Sequence, residues 1–97
     1  MPTYISLLRY TAQGIAKVKE SPNRLDSARK LAQSVGGKIN SWHLTLGKYD
    51  AVVVADFPDD NAAASFMLAV GSLGNVTTQT LKAFNEDEFR KIVGSLP

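Results

Sequence analysis

The chain has 97 residues, 44% hydrophobic and 21% charged, with a formal net charge of +2 and no cysteine. That length sets one domain with a modest core, and makes extra burial through self-association a natural expectation. The absence of thiols excludes disulfides, cysteine nucleophiles and zinc sites built on cysteine, while the scattered cations (Arg24, Arg29 and Lys30 in one region, Arg90 and Lys91 in another) argue against a nucleic-acid footprint.

The opening MPTYISLLRY carries no charged leader and turns polar by Gln13, unlike a secretory signal. No apolar run approaches the roughly 18 residues of a membrane span. A soluble cytoplasmic protein is the expectation. Thr3 to Tyr10, rich in β-branched, aromatic and leucine residues, predicts a strand that begins the fold. Thr11 offers a cap, and TAQGIAKVKE predicts a short helical turn with Ile15 and Val18 three apart. Ser21-Pro22 predicts a helix start, with Ser21 as cap and Pro22 at the first helical position. Leu25, Ala28, Ala32 and Val35 follow at helical spacing, and Gly36-Gly37 predicts the stop.

Ile39 to Leu46 predicts the second strand, Gly47-Lys48 a tight turn, and Tyr49 to Phe57 the third strand. Strands joined so closely form an antiparallel hairpin. Asp59 or Asp60 caps a second helix, NAAASFMLAVGSLG, with Phe66, Val70 and Leu73 on one stripe and Gly74-Asn75 at its end. Val76 to Phe84 predicts the fourth strand. Asn85 and Glu88 then form a capping-box pattern ahead of a last helix, whose apolar side is Phe89, Ile92, Val93 and Leu96. The order β-α-β-β-α-β plus a C-terminal helix predicts a single ferredoxin-like α+β sandwich. Its right-handed crossovers put both main helices on one face of a four-stranded antiparallel sheet. The other face is left for the tail helix or a second copy.

Four segments in order, MPTYISLLRYTAQG, SPNRLDSARKLA, LGKYDAVVVADFPDD and AVGSLGNVTTQTLKAFNEDEFRKIV, resemble the GYD-domain family over essentially the whole chain. The name motif stands here as Gly47-Lys48-Tyr49-Asp50. The resemblance implies a relation to the dimeric α+β barrels, in which two ferredoxin-like units bring their open sheets together. It therefore implies a homo-oligomer, and it carries across no catalytic residues.

The Gly47-Lys48-Tyr49-Asp50 segment reads as turn chemistry. Gly47 takes positive φ, Asp50 accepts hydrogen bonds from the turn backbone, and Tyr49 packs its ring over the hairpin. A ligand-binding rim is the alternative. Strand parity assigns Ala51, Val53, Ala55 and Phe57 to the helix-covered face, together with Ile5, Leu7, Trp42, Leu44, Leu46, Leu81 and Ala83. The open face then holds Tyr4, Ser6, Leu8, Tyr10, Ser41, His43, Thr45, Val52, Val54, Asp56, Thr78, Thr80 and Lys82. Two such faces together would enclose a partly polar cavity, so Tyr4, Ser6, Tyr10, His43, Asp56 and Lys82 are the candidate ligand-binding residues.

His43, the one histidine, and Asp56 are the candidate proton-transfer pair. The plainer reading makes His43 a half-buried packing residue and Asp56 a solvated or ion-paired acid at a strand exit. His43 lacks companions for a metal site, Gly36-Gly37-Lys38 lacks the P-loop spacing, and no G-x-S-x-G elbow occurs, so no metal and no cofactor are expected. The functional expectation is a homo-oligomeric module that binds a small molecule or serves assembly. The alternatives are a cofactor-free dimeric-barrel enzyme (isomerase or monooxygenase-like) on a small organic substrate, and a regulatory protein-interaction domain. No reaction is identified.

Overall fold

The computed structural model describes residues 1–97. The chain runs β1 (Thr3–Tyr10), α1 (Ala12–Ala16), a 3-10 turn (Val18–Glu20), α2 (Ser21–Ser34), β2 (Lys38–Leu44), β3 (Ala51–Asp56), α3 (Asp60–Ser72), β4 (Val76–Ala83) and α4 (Glu86–Gly94). The four strands lie in the order β2-β3-β1-β4, and every neighbouring pair is antiparallel. This is the expected ferredoxin-like α+β arrangement.

Local signals account for most boundaries. Asp59 caps α3 by accepting from the Ala62 N–H at 2.8 Å. Asn85 and Glu88 form a reciprocal capping box at α4. Two turns differ from expectation. Ser21 is the first residue of α2 and makes no capping bond; its hydroxyl instead lies 3.0 Å from the Tyr10 hydroxyl. The β2–β3 connection is the longer loop 45–50, because Thr45 closes it from within, bonding the carbonyls of Tyr49 (2.7 Å) and Asp50 (2.9 Å).

Pairing register decides which side each residue faces. Tyr4, Ser6 and Leu8 lie opposite Ala55, Val53 and Ala51. Lys82, Thr80 and Thr78 lie opposite the same β1 residues on the other side. Directly paired residues share a face, so all of these stand beneath the helices with Ile39, Trp42 and Leu44. The expected parity therefore holds for β2 and β3 and is reversed for β1 and β4. Tyr4, Ser6, Tyr10 and Lys82 belong to the helix side, whereas Ile5, Leu7, Leu81 and Ala83 belong to the open side.

The reversal has a packing cause. Tyr4 is buried against Phe57 edge to face, with centroids 5.8 Å apart, and its hydroxyl reaches Asp60 at the start of α3. A leucine or isoleucine there would fill the core without holding the helix. Ser6 is also buried, where the sheet passes under Met67, and its hydroxyl is satisfied by Thr80 at 2.9 Å. Phe57, fully buried, stacks on Phe66 at 5.1 Å and anchors the core with Ala32, Ile39, Val53, Ala55 and Ala63. Gly37 lets β2 pass over it: a Cβ at position 37 would stand 2.4 Å from the Phe57 ring.

One polar cluster ties sheet to helix. Asp60 accepts from the Tyr4 hydroxyl at 2.5 Å and lies 3.3 Å from the Lys82 ammonium. The Tyr4 bond, and then Lys82, hold the Asp60 carboxyl below its usual value. The same bond, with burial and the nearby acids, pushes the Tyr4 phenol up to about 12.

Phe57→Ala is expected to cost about 3–5 kcal/mol, the usual result of emptying a buried aromatic position, seen as a lowered urea midpoint. The Asp60 carboxyl favours the folded state above its ordinary pKa of 3.8, and that contribution is lost as pH falls through its depressed folded value. The raised Tyr4 phenol favours folding below pH 10.0, a contribution lost as pH climbs toward 12. Asp60→Asn should therefore flatten the acid limb of urea midpoint against pH, and bring the highest tyrosinate absorbance titration down toward 10.0.

Candidate functional site

Two surfaces have the character of a site, one on each side of the sheet. The open side is a row of apolar side chains with a polar rim. Val54, Ile5 and Leu81 stand side by side across β3, β1 and β4, and Val52 and Leu7 continue the patch. Thr3, Arg9, Ser41, His43, Asp56 and Gln79 surround it. No helix of the chain covers it, since α2 and α3 pack on the opposite face.

His43 and Asp56 do share this open face, but they do not meet. His43 pairs with Val52, and Asp56 stands four residues further along β3, a separation of about 13 Å at the rise of a strand. Asp56 accepts from the Thr3 hydroxyl at 2.7 Å, which satisfies the one acid of an apolar strand. His43 is exposed. The expected proton-transfer pair is therefore not formed within the subunit. Lys82 also cannot reach Asp56, because it rises on the other face to Asp60. No group of three or more His, Asp or Glu side chains is placed to hold a metal ion.

The Gly47-Lys48-Tyr49-Asp50 segment closes one end of the sheet. Gly47 has φ +119°, a conformation that L side chains rarely adopt. Asp50 takes up the end of the β1 ladder: its N–H donates to Leu8 O at 2.8 Å, and its carboxylate accepts from Tyr10 N–H at 2.8 Å. Asp50 thus serves its own loop through its carbonyl, which accepts from the Thr45 N–H, and its carboxylate adds a cross-strand role. Tyr49 reaches over the open face, its hydroxyl donating to Gln79 at 2.7 Å and the Arg9 guanidinium lying 5.2 Å from its ring. Gln79 pairs with Leu7, so this ring shelters part of the apolar patch.

On the helix side, α2 and α3 stand apart over the sheet and leave a cleft of about 460 Å³. Ser6, Leu8 and Val53 belong to its floor; Leu25, Ala28 and Leu31 of α2 and Phe66, Met67 and Val70 of α3 are its walls. Trp42 also lines it. At the Tyr10 end the lining turns polar, with Ser21, Arg24, Asp50 and Asn75. The Arg24 Nη2 donates to the carbonyls of Gly14 (3.1 Å) and Lys17 (2.9 Å) and to the Ser21 hydroxyl (3.1 Å). Of the six candidate ligand-binding residues, Ser6 and Tyr10 line this cleft, Tyr4 and Lys82 serve the Asp60 cluster, and His43 and Asp56 sit on the opposite face. Arg24 and Trp42 were not among the candidates. Arg24 reads as one of several scattered cations, and only its helical position beside Ser21 and facing Tyr10 distinguishes it.

No helix is long and apolar enough to cross a membrane. Nothing among curated proteins matches the chain. Among solved structures, FFRP-DM1 is similar with a TM-score of 0.62 at 16% identity, over 87% of this chain and 100% of that one. TTHA0845 from Thermus thermophilus is similar with a TM-score of 0.56 at 22% identity, over 88% and 95%. The leucine response regulatory protein LrpA of Mycobacterium tuberculosis gives 0.57 at 13% identity, over 87% of this chain and 51% of its own. At such identities these likenesses speak for the fold alone. The GYD domain matches residues 4–93, nearly the whole chain with the Gly47–Asp50 signature inside it, and the protein belongs to the GYD-domain family.

Proposed function

We propose that the protein is a homo-oligomeric assembly module whose subunits meet through the open sheet face. The observation that carries this is the uncovered patch of Ile5, Leu7, Val52, Val54 and Leu81, an apolar centre with a polar rim. That is the anatomy of a protein interface. With β1 and β4 in their observed register, the face loses the polar Tyr4, Ser6, Tyr10 and Lys82 and gains three aliphatic residues. Two such faces would close as a dry seam in place of a polar chamber.

The tail supports the same reading. Every residue of α4 is exposed, although its Phe89, Ile92 and Val93 form an apolar side with Leu96 just beyond. The radius of gyration is 14.6 Å, against about 12.5 Å for a compact chain of this length. The helix thus stands clear of the body. Four strands of this length offer roughly 500 Å² of flat face, short of the about 800 Å² per partner of a standard interface. In the proposed assembly, α4 laid against a second copy supplies the remainder and covers its own apolar side.

Val54→Asp places a carboxylate at the centre of the patch, where association would bury it without a partner. The expected result by analytical ultracentrifugation is at least about 100-fold weaker association, near 3 kcal/mol. The variant should still melt cooperatively, and Leu68→Asp, on the exposed side of α3, should leave association unchanged. A wild-type protein that sediments as a monomer at micromolar concentration would remove the proposal.

A further inference from the structure

We propose that the cleft between α2, α3 and the sheet is a binding site for a small amphipathic carboxylate, with its hydrocarbon or aromatic body among the helix side chains and its head at Arg24. The site lies within one subunit and on the far side of the sheet from the proposed interface, so it stands independently of the assembly reading.

The cleft volume of about 460 Å³ falls within the range of about 300–1,000 Å³ typical of small-molecule sites. Its body is apolar on three sides: Leu8 and Val53 below, Leu25 and Ala28 on α2, Met67 and Val70 on α3. Facing helices in a core of this size ordinarily close on each other, leaving few voids larger than a water molecule. Here the side chains stop short and the space is continuous to the Tyr10 end.

Charge at that end selects the head group. Arg24 is half-buried and forms no ion pair; the salt bridges of the chain are Lys82–Asp60 and Arg90–Glu86. All three of its hydrogen bonds leave from Nη2 and go to neutral oxygens, so Nη1 and Nε have no partner within the protein. Three acceptors on Nη2 fix the plane of the guanidinium, and the Nη1 and Nε N–H groups are left to donate singly, charge-assisted, to a carboxylate oxygen. The Tyr10 and Ser21 hydroxyls, 3.0 Å apart, share one hydrogen bond beside it, which leaves one of their two O–H groups as a further donor.

Two acids also line the cleft. Asp50 is committed to the Tyr10 N–H, and Glu20 lies on the exposed approach to α2; neither lies within 4.0 Å of Arg24 as an ion pair. They disfavour a dianion such as a phosphate ester more than a monocarboxylate, because repulsion scales with the charge brought in.

Trp42, the one tryptophan of the chain, lines the cleft and reports on it. Titrating the full-length protein with decanoate should shift its emission saturably, and 1-decanol should bind at least tenfold more weakly. Arg24→Gln should lower decanoate affinity at least tenfold and leave 1-decanol unchanged, while Val70→Phe, which fills the cleft, should abolish both. The comparison of decanoate with 1-decanol in the wild type holds even if a variant fails to fold. Absence of a saturable Trp42 response to decanoate, or equal affinity for acid and alcohol, overturns the proposal.

Discussion

The register between β1 and its two neighbours is the constraint on which everything else rests. Side chains alternate along a strand, so a slip of one residue would exchange the two faces of the central strand entirely. With Ser6 opposite Val53 and Thr80, Tyr4 points up to Asp60, Ser6 fits beneath Met67, and Ile5 is left facing outward. The Tyr4–Asp60–Lys82 cluster and the Asp50–Tyr10 bond hold that register at the two ends of β1. They act from opposite sides of the hairpin, one through α3 and the other through the Gly47–Asp50 loop.

That register gives the sheet two unlike faces. Beneath the helices lie buried aromatics, satisfied hydroxyls and an open cleft. On the far side lie aliphatic residues that no helix of the chain covers. A sheet with one apolar face bare and an amphipathic helix extending from its last strand is an incomplete object by the ordinary rule that layers are built to bury such faces. The missing layer and the unpartnered helix are explained together if another copy supplies both surfaces. The signature segment fits this scheme, since its tyrosine lies over the open face at one edge and its aspartate extends the β1–β3 pairing.

Most of the fold was legible in the sequence because its signals are local. Pro22, Asp59, Asn85 with Glu88, and Gly36 each mark an element end by a mechanism that acts within a few residues. The faces of β2 and β3 were also legible, because Asp56 and His43 mark the side that is not core. The faces of β1 were not. Both of its sides carry large apolar residues, Tyr4 and Leu8 on one and Ile5 and Leu7 on the other. Hydrophobicity alone prefers the aliphatic pair for the core. Tyrosine wins because its hydroxyl finds Asp60, a partner 56 positions away in sequence. β4 then follows β1, and the polar candidates Ser6, Tyr10 and Lys82 change side with it. The cleft was out of reach for a different reason. It depends on the spacing of two helices, which no periodicity encodes.

In the proposed assembly a second copy of the chain covers the open face. Because the chain has no cysteine, thiols introduced singly by Leu81→Cys on that face and Leu68→Cys on the outside of α3 can be compared directly. Both positions are exposed in the single subunit, at 45% and 75%. Rates of modification by a thiol reagent should diverge as protein concentration rises, with position 81 becoming protected and position 68 remaining reactive. Equal, concentration-independent reactivity at the two positions would mean that no second copy covers the open face.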